Sequence, residues 1–365
     1  MTRIVIAPDS FKGTIDAADA AAALAAGWCS VRADDTVVAT PMADGGEGTL
    51  EAIAAATPGA SRVPLTVTGP DDRPVDTHWL LLPDGSGVVE LALTSGLPLL
   101  DELAPLSAHT IGFGEAIAAA LDHGVTRMLV AIGGSASTDG GAGMLAALGA
   151  RFAPFAGGHP RGPAAVSLIE GVDPSELRAL PPGGVVALTD VDSPLTGERG
   201  AAAVFGPQKG LAPVDVSWVD AALARFAGLL GADPATPGAG AAGGTGFALL
   251  AWGASLQSGA VAVADAIGLD VALAGADLVI TGEGRFDGQT AAGKVAHEVA
   301  RRADTVGTPR ALVAGAIAAE PRGFAAAVSL TDLAGAAQAA MADPARWLHA
   351  AGAQLAQSVT PHDAR

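Results

Sequence analysis

Ile4-Val5-Ile6-Ala7-Pro8-Asp9-Ser10-Phe11-Lys12-Gly13-Thr14 runs from four apolar residues into a polar loop, and the alanine-rich stretch Ala17–Trp28 follows with helical length. This is a strand, a loop and a helix in sequence. Further short apolar runs precede Gly/Asp-rich turns at Val37–Thr40, Met128–Ile132, Val185–Leu188, Leu278–Thr281 and Ala311–Ala314. Stretches of helical spacing lie between them at Gly114–His123, Ala142–Leu148, Asp220–Leu230 and Ala292–Ala303. The alternation predicts an α/β protein with mainly parallel strands, whose chemistry gathers in the loops at the strands' carboxyl ends.

The middle of the chain reads differently. Val63, Leu65 and Val67 alternate, Gly69-Pro70-Asp71-Asp72 makes a turn, and His78-Trp79-Leu80-Leu81-Leu82 returns, so Ser61 to Leu82 is predicted as an antiparallel hairpin. Pro154–Ala165 and Gly231–Gly246 are rich in Gly and Pro without periodicity and read as surface loops or hinge material. The most apolar stretch, Gly246 to Ile267, is interrupted by Trp252-Gly253, Ser255, Gln257-Ser258-Gly259 and Asp265, and reads as a buried helix pair rather than a membrane span. A second domain inserted into the first is expected, with residues 1–60 and 271–365 on one side and 61–270 on the other.

Composition bounds the function. Gly 49 and Pro 24 make a fifth of 365 residues, yet half of the chain is hydrophobic and mean hydropathy is +0.41, which excludes a disordered or collagen-like chain. A formal charge of −18 with no basic stripe argues against nucleic-acid or anionic-membrane partners. The start Met1-Thr2-Arg3 leads into an apolar run too short for a signal peptide, so a cytoplasmic location is expected. Cys29, the one cysteine, excludes an internal disulfide and a Cys-based zinc cluster, and reads as a small buried hydrophobe. The histidines form no H-E-x-x-H or similar pair, and His297 reads as a surface residue. The alanine-rich helices suit a core or a homodimer interface equally.

Only Lys12, Lys209 and Lys294 are lysines among 20 basic residues, and each adjoins a glycine. A glycine neighbour lets backbone approach a ligand, and an ammonium pairs with a phosphate oxygen, so all three are phosphate candidates. The Asp9–Thr14 loop should lie at a strand end and a helix N-terminus, a setting that favours anions. Pro41-Met42-Ala43-Asp44-Gly45-Gly46-Glu47-Gly48-Thr49 repeats the layout with two carboxylates, and Asp190 in Thr189-Asp190-Val191-Asp192-Ser193 ends another strand. Asp44, Glu47 and Asp190 are the candidate Mg²⁺ ligands and equally the candidate general bases. Gly133-Gly134-Ser135-Ala136-Ser137-Thr138-Asp139-Gly140-Gly141 offers amides to phosphates. It does not match G-x-S-x-G, which disfavours a serine hydrolase. Gly288 to Lys294 matches G-x-x-x-x-G-K, but Val295 follows in place of the P-loop hydroxyl, so a phosphate loop of another type is indicated.

The blocks Ala7–Thr14, Pro41–Thr49, Gly133–Gly143, Val204-Phe205-Gly206-Pro207-Gln208-Lys209-Gly210, Gly238–Gly244 and Thr281–Lys294, in this order, resemble the bacterial glycerate kinases that phosphorylate O2 of D-glycerate. The resemblance covers nearly the whole chain. It implies ATP and Mg²⁺ as cofactors, phosphoryl transfer to the C2 hydroxyl of D-glycerate, and two domains. One would be a flavodoxin-like parallel sheet with helices on both faces, the other a smaller α/β domain inserted into it. Lys12, Asp190, Asp44 and Lys294 are the catalytic candidates. Asp9, Ser10, Gly45, Gly46, Glu47, Gly133, Gly134, Ser135, Asp139, Lys209, Glu283, Arg285, Asp287 and Thr290 are the substrate- and nucleotide-binding candidates, with Arg285 for the glycerate carboxylate. Departures from the family pattern are Thr138 for Asn, Asp192-Ser193 for Thr-Asn and Ala296 for Pro. A kinase for a related hydroxy acid, formation of 3-phosphoglycerate and a non-catalytic glycerate- or nucleotide-binding regulator are the open alternatives.

Overall fold

The computed structural model describes residues 2–155, 158–287 and 295–358. They form two compact units, one of residues 1–44, 51–58 and 260–365, the other of residues 45–50 and 59–259. The inserted unit takes up the greater part of the chain.

The first unit is built on β1 (Arg3–Pro8), β2 (Thr36–Ala39), β3 (Leu278–Phe286), β4 (Arg310–Ile317) and β5 (Ala326–Ser329), in the order β5-β4-β3-β1-β2. Every pairing is parallel. This is the flavodoxin-type order, with its switch point between β1 and β3. Side chains alternate across the sheet. Ile4, Ile6, Leu278, Ile280, Ala311 and Val313 share one core with Leu24 and Trp28 of helix α1 (Ala17–Val31) and with the C-terminal helix Pro344–Ser358. Val5, Val279 and Leu312 alternate with them and are fully buried, and helix Val295–Val306 packs on β1, β3 and β4. Asp16 starts α1 by accepting from the Asp19 amide at 2.8 Å.

α1 and the C-terminal helix approach closely because Gly27 faces the His349 carbonyl and Gly352 the Leu24 carbonyl, where a Cβ on either glycine would overlap backbone oxygen. The inserted unit carries a mixed six-stranded sheet in the order Ser255–Gln257, Val185–Leu188, Arg127–Ala131, Ser86–Glu90, Pro74–Leu81, Ser61–Thr68. The first four pair in parallel, and the Ser61–Leu81 hairpin is antiparallel around its Gly69–Asp72 turn. Trp79, Val89, Phe113, Met128 and Val130 centre its core.

Three expectations need correction. Gly246–Ile267 is not a helix pair alone, since Ser255–Gln257 is an edge strand between Ala241–Trp252 and Gly259–Ala266. Three residues are too few to show a period of two. The end of Gly231–Gly246 is interior rather than surface: Gly243 to Gly246 are buried, with Gly243 against the Ser137 carbonyl. Cys29 is only half-buried. His297 is exposed, as read. Among the described residues no helix is long and apolar enough to cross a membrane.

Gly27→Ala should overpack the α1 contact and cost about 2 kcal/mol, at the middle of the range for core overpacking. Gly228→Ala, on an exposed helix position with nothing within 4 Å of the added carbon, should gain about 0.5–1 kcal/mol. Denaturant titration of both variants checks the pair; equal effects would show that the close approach carries no load.

Candidate active site

β1 pairs with β3 in parallel as far as Pro8 and Gly282, so the loop after β1 starts beside the last residues of β3, Glu283 to Phe286. The Asp9 amide donates to the Gly282 carbonyl at 2.8 Å, and the Thr281 hydroxyl donates to the Ala7 carbonyl at 2.9 Å. Asp9 is thereby held at the switch point, where it is nearly buried and accepts from the Ser10 amide at 2.7 Å. Burial, with the negative charge of Asp44 and more weakly of Glu283, pushes the Asp9 carboxyl up to about 7, against the opposing pull of Lys12 and the Ser10 amide.

Lys12 Nζ lies 2.7 Å from Asp44 Oδ2, with Lys12 68% exposed and Asp44 20%. A pair so exposed at its cationic end adds little to stability. Arg285 reaches Asp287 at 3.4 Å and is otherwise solvent-facing, and Glu283 is buried. Asp9, Ser10, Lys12, Asp44, Glu283 and Arg285 line one cavity of about 410 Å³ in the first unit. Six of the residues singled out in sequence thus meet there. Lys294, Thr290 and the whole Gly288–Lys294 near-match lie outside the described residues.

In the inserted unit the two glycine loops stand back to back. The Gly133 amide donates to the Gly45 carbonyl at 3.0 Å, and a Cβ on Gly133 would come 2.5 Å from the Gly46 Cα. These glycines are needed for that contact whatever ligand the loop meets. Gly134, with φ +74°, turns the chain into Ser135. Asp139 is fully buried and accepts from the Thr110 amide at 2.9 Å, the Thr110 hydroxyl at 2.8 Å and the Ser137 hydroxyl at 3.0 Å, and from the amides of Gly141 and Gly143. Its oxygens hold the loop's own shape.

Lys209, expected at a phosphate, is instead buried beneath this loop. It donates to the Ser135 hydroxyl at 2.6 Å and the Ser137 carbonyl at 2.5 Å, and burial pushes its ammonium down to about 7 against the favourable charge of Asp139. Asp190 is half-buried, with Oδ1 accepting from the Ser258 hydroxyl at 2.8 Å and the Gly259 amide at 2.9 Å. Glu47 is exposed. Among the described residues no three His, Cys, Asp or Glu side chains group as a metal site.

Sequence reasoning passed over Glu90. It ends a strand inside the inserted sheet, is buried, and accepts from the Gly48 and Leu50 amides at 2.9 and 2.8 Å, where the acidic glycine loop turns into a helix. Its signal was an acid closing an apolar run, Gly87-Val88-Val89-Glu90, the pattern that marked Asp9 and Asp190.

Because the folded Asp9 holds its proton to about pH 7 and the unfolded carboxyl releases it near 3.8, the folded state loses stability as pH rises between these values. Asp9→Asn should therefore raise Tm by about 4 °C or more above pH about 8 and by little below pH about 4, read by calorimetry. A pH-independent shift would overturn this account of Asp9. Lys209 has the opposite sign: its protonation cost is relieved as pH rises from about 7 toward 10.5. Lys209→Met should flatten the alkaline limb of the same curve.

A profile of the glycerate kinase family matches residues 4–360. A protein named glycerate kinase from Bacillus subtilis strain 168 is 42% identical over 86% of this chain and 85% of its own length. One named glycerate 2-kinase from Escherichia coli K12 is 40% identical over 86% and 85%. A crystal structure from Salmonella typhimurium LT2, provisionally assigned as glycerate kinase 2, superposes with a TM-score of 0.85 at 39% identity over 98% of each chain.

Proposed function

The chain belongs to the glycerate kinase family and is an enzyme of the kinase type, and on that premise we propose that it transfers the γ-phosphoryl group of ATP to the C2 hydroxyl of D-glycerate. The name of the Escherichia coli relative supports the C2 position. The observation that carries the reading is the switch-point cavity, where one lysine, one arginine and three carboxylates meet. Phosphoryl transfer asks for charge neutralisation and positioning more than covalent chemistry, and this set supplies both.

Lys12, a mobile point charge, pairs with phosphate oxygens, and the planar fork of Arg285 suits the glycerate carboxylate. Asp9 is the proposed base. A carboxyl poised at about 7 takes the hydroxyl proton as the oxygen–phosphorus bond forms and the bond to ADP breaks. Asp190, one of three base candidates from sequence with Asp44 and Glu47, has one oxygen engaged by Ser258 and Gly259.

Magnesium fits as a passenger of the nucleotide. Mg²⁺ keeps waters and phosphate oxygens and asks the protein for one or two carboxylates, so it does not need the preformed three-ligand group that the described residues lack. Asp44 would hold it, and the ion would neutralise charge on the transferring phosphoryl group.

The test is a coupled assay with ATP, magnesium and D-glycerate, with the product read by phosphorus NMR. The 2-phospho ester is expected; the 3-phospho ester would overturn the acceptor position, and no product the reaction. Lys12→Ala should lower kcat/KM by about a hundredfold or more. Asp9→Asn should lower kcat by about 10²–10⁴. Should Asp190→Asn lose activity on that scale while Asp9→Asn stays within a few-fold, the base is Asp190.

A further inference from the structure

The switch-point cavity has a second side that phosphoryl chemistry leaves unexplained. Beyond β4 the sheet continues to β5, and helices Leu330–Ala334, Ala337–Ala342 and the start of Pro344–Ser358 follow it. From them Leu330, Thr331, Ala337, Ala340, Met341 and Pro344 line the cavity, and the Thr331 hydroxyl is turned to the Gly315 carbonyl, to which it donates at 2.7 Å. Apart from Thr331 all are apolar, and they follow β5 at one edge of the sheet, whereas Asp44 follows β2 at the other.

A three-carbon polyhydroxy acid has nothing to place against such a wall, and it fills a small part of about 410 Å³. A nucleotide has both a flat apolar base and a charged tail. The wall is built for a large flat group: Ala337 and Ala340 leave the space open, and the floor at Gly284 and Gly315 is bare backbone. Met341 is 60% exposed although it lines the cavity, and an exposed, pliable thioether beside alanines suits contact with an aromatic ring.

Resting on the kinase reading above, we propose that the apolar wall formed by Leu330, Ala337, Ala340, Met341 and Pro344 is the base-binding subsite for the nucleotide. The phosphates then run from this wall toward Lys12, which leaves Arg285 for the acceptor. Base binding here rests on buried area and ring contact, which add to affinity through apolar surface removed from water.

The experiment uses the full chain. Ala337 and Met341 are exposed, so Ala337→Trp and Met341→Ala should fold, as circular dichroism and Tm would report. ADP affinity is measured by calorimetry and the two Michaelis constants by assay. Ala337→Trp, which fills the wall, should weaken ADP and raise the KM for ATP by about tenfold or more, about 1.4 kcal/mol, with the KM for glycerate within about twofold. Met341→Ala should weaken ADP by about two- to fivefold, the loss of part of a side chain's contact. Photolabelling with 8-azido-ADP should mark the peptide 330–344 and be blocked by ATP but not by glycerate.

A rise in the glycerate constant with unchanged ADP affinity would make the wall part of the acceptor site and overturn the inference. So would unchanged constants with labelling elsewhere. A chain that binds ADP at this wall yet phosphorylates no glycerate keeps the inference and sinks the proposed reaction; one that phosphorylates glycerate but ignores both substitutions does the reverse.

Discussion

Parallel pairing of β1 with β3, from Ile4 against Leu278 to Pro8 against Gly282, is the constraint on which the first unit depends. β1 ends opposite Gly282 while β3 runs on to Phe286, so the loop after β1 lies beside the distal part of β3. The sheet order reverses at this pair, and no crossover covers the opening between them. Asp9 and Glu283 are close because the ladder is in register, and the Thr281 hydroxyl on the Ala7 carbonyl fixes the last rung. A slip of one residue would turn Val5 and Val279 into the core of Ile4 and Ile280 and carry Asp9 away from Glu283.

Acidic crowding at that place has a physical cost. Asp9 sits nearly buried beside Asp44 and Glu283, and Lys12 and the Ser10 amide oppose the rise in its proton affinity. A fold under selection for stability alone would replace such a group with an apolar or neutral one. Its retention at the mouth of a large cavity is the pattern of a site whose stability is sacrificed to chemistry. Asp139 shows the contrast: equally buried, it is met by five donors and leaves no capacity for a ligand.

Much of this was legible in the sequence, for reasons that differ by element. All six apolar runs read as strands are strands, because buried parallel strands are continuous runs of β-branched and aliphatic residues. Ser61–Thr68 and Pro74–Leu81 were legible through alternation and their turn. β5, with the sequence Ala326-Ala327-Val328-Ser329, was not, since two alanines and a serine carry no strand signal and its place is set by the pairing of Ala311 to Ala326. The helices after it escaped notice for the same reason, and with them the apolar wall of the cavity. Gly45, Gly46 and Gly133 were read as ligand-facing, yet loop against loop is a contact between residues far apart in the chain, and no local pattern displays it.

The scarcity of lysine illustrates how one sequence signal divides once burial is known. Lys12 and Lys209 each adjoin a glycine and each was read as a phosphate contact, but solvent separates them. Lys12 is 68% exposed and its ammonium meets Asp44 at the surface, where an ion pair adds little to stability. Beneath the Gly133–Gly141 loop, Lys209 has lost water, and its hydrogens go to Ser135 and Ser137. Arginine would not serve there, since its larger planar head does not fit a space that offers one hydroxyl and one carbonyl, and it cannot shed its proton when buried. Lysine therefore survives at the two positions for opposite reasons: at one the charge must be mobile and exposed, at the other compact and able to be given up.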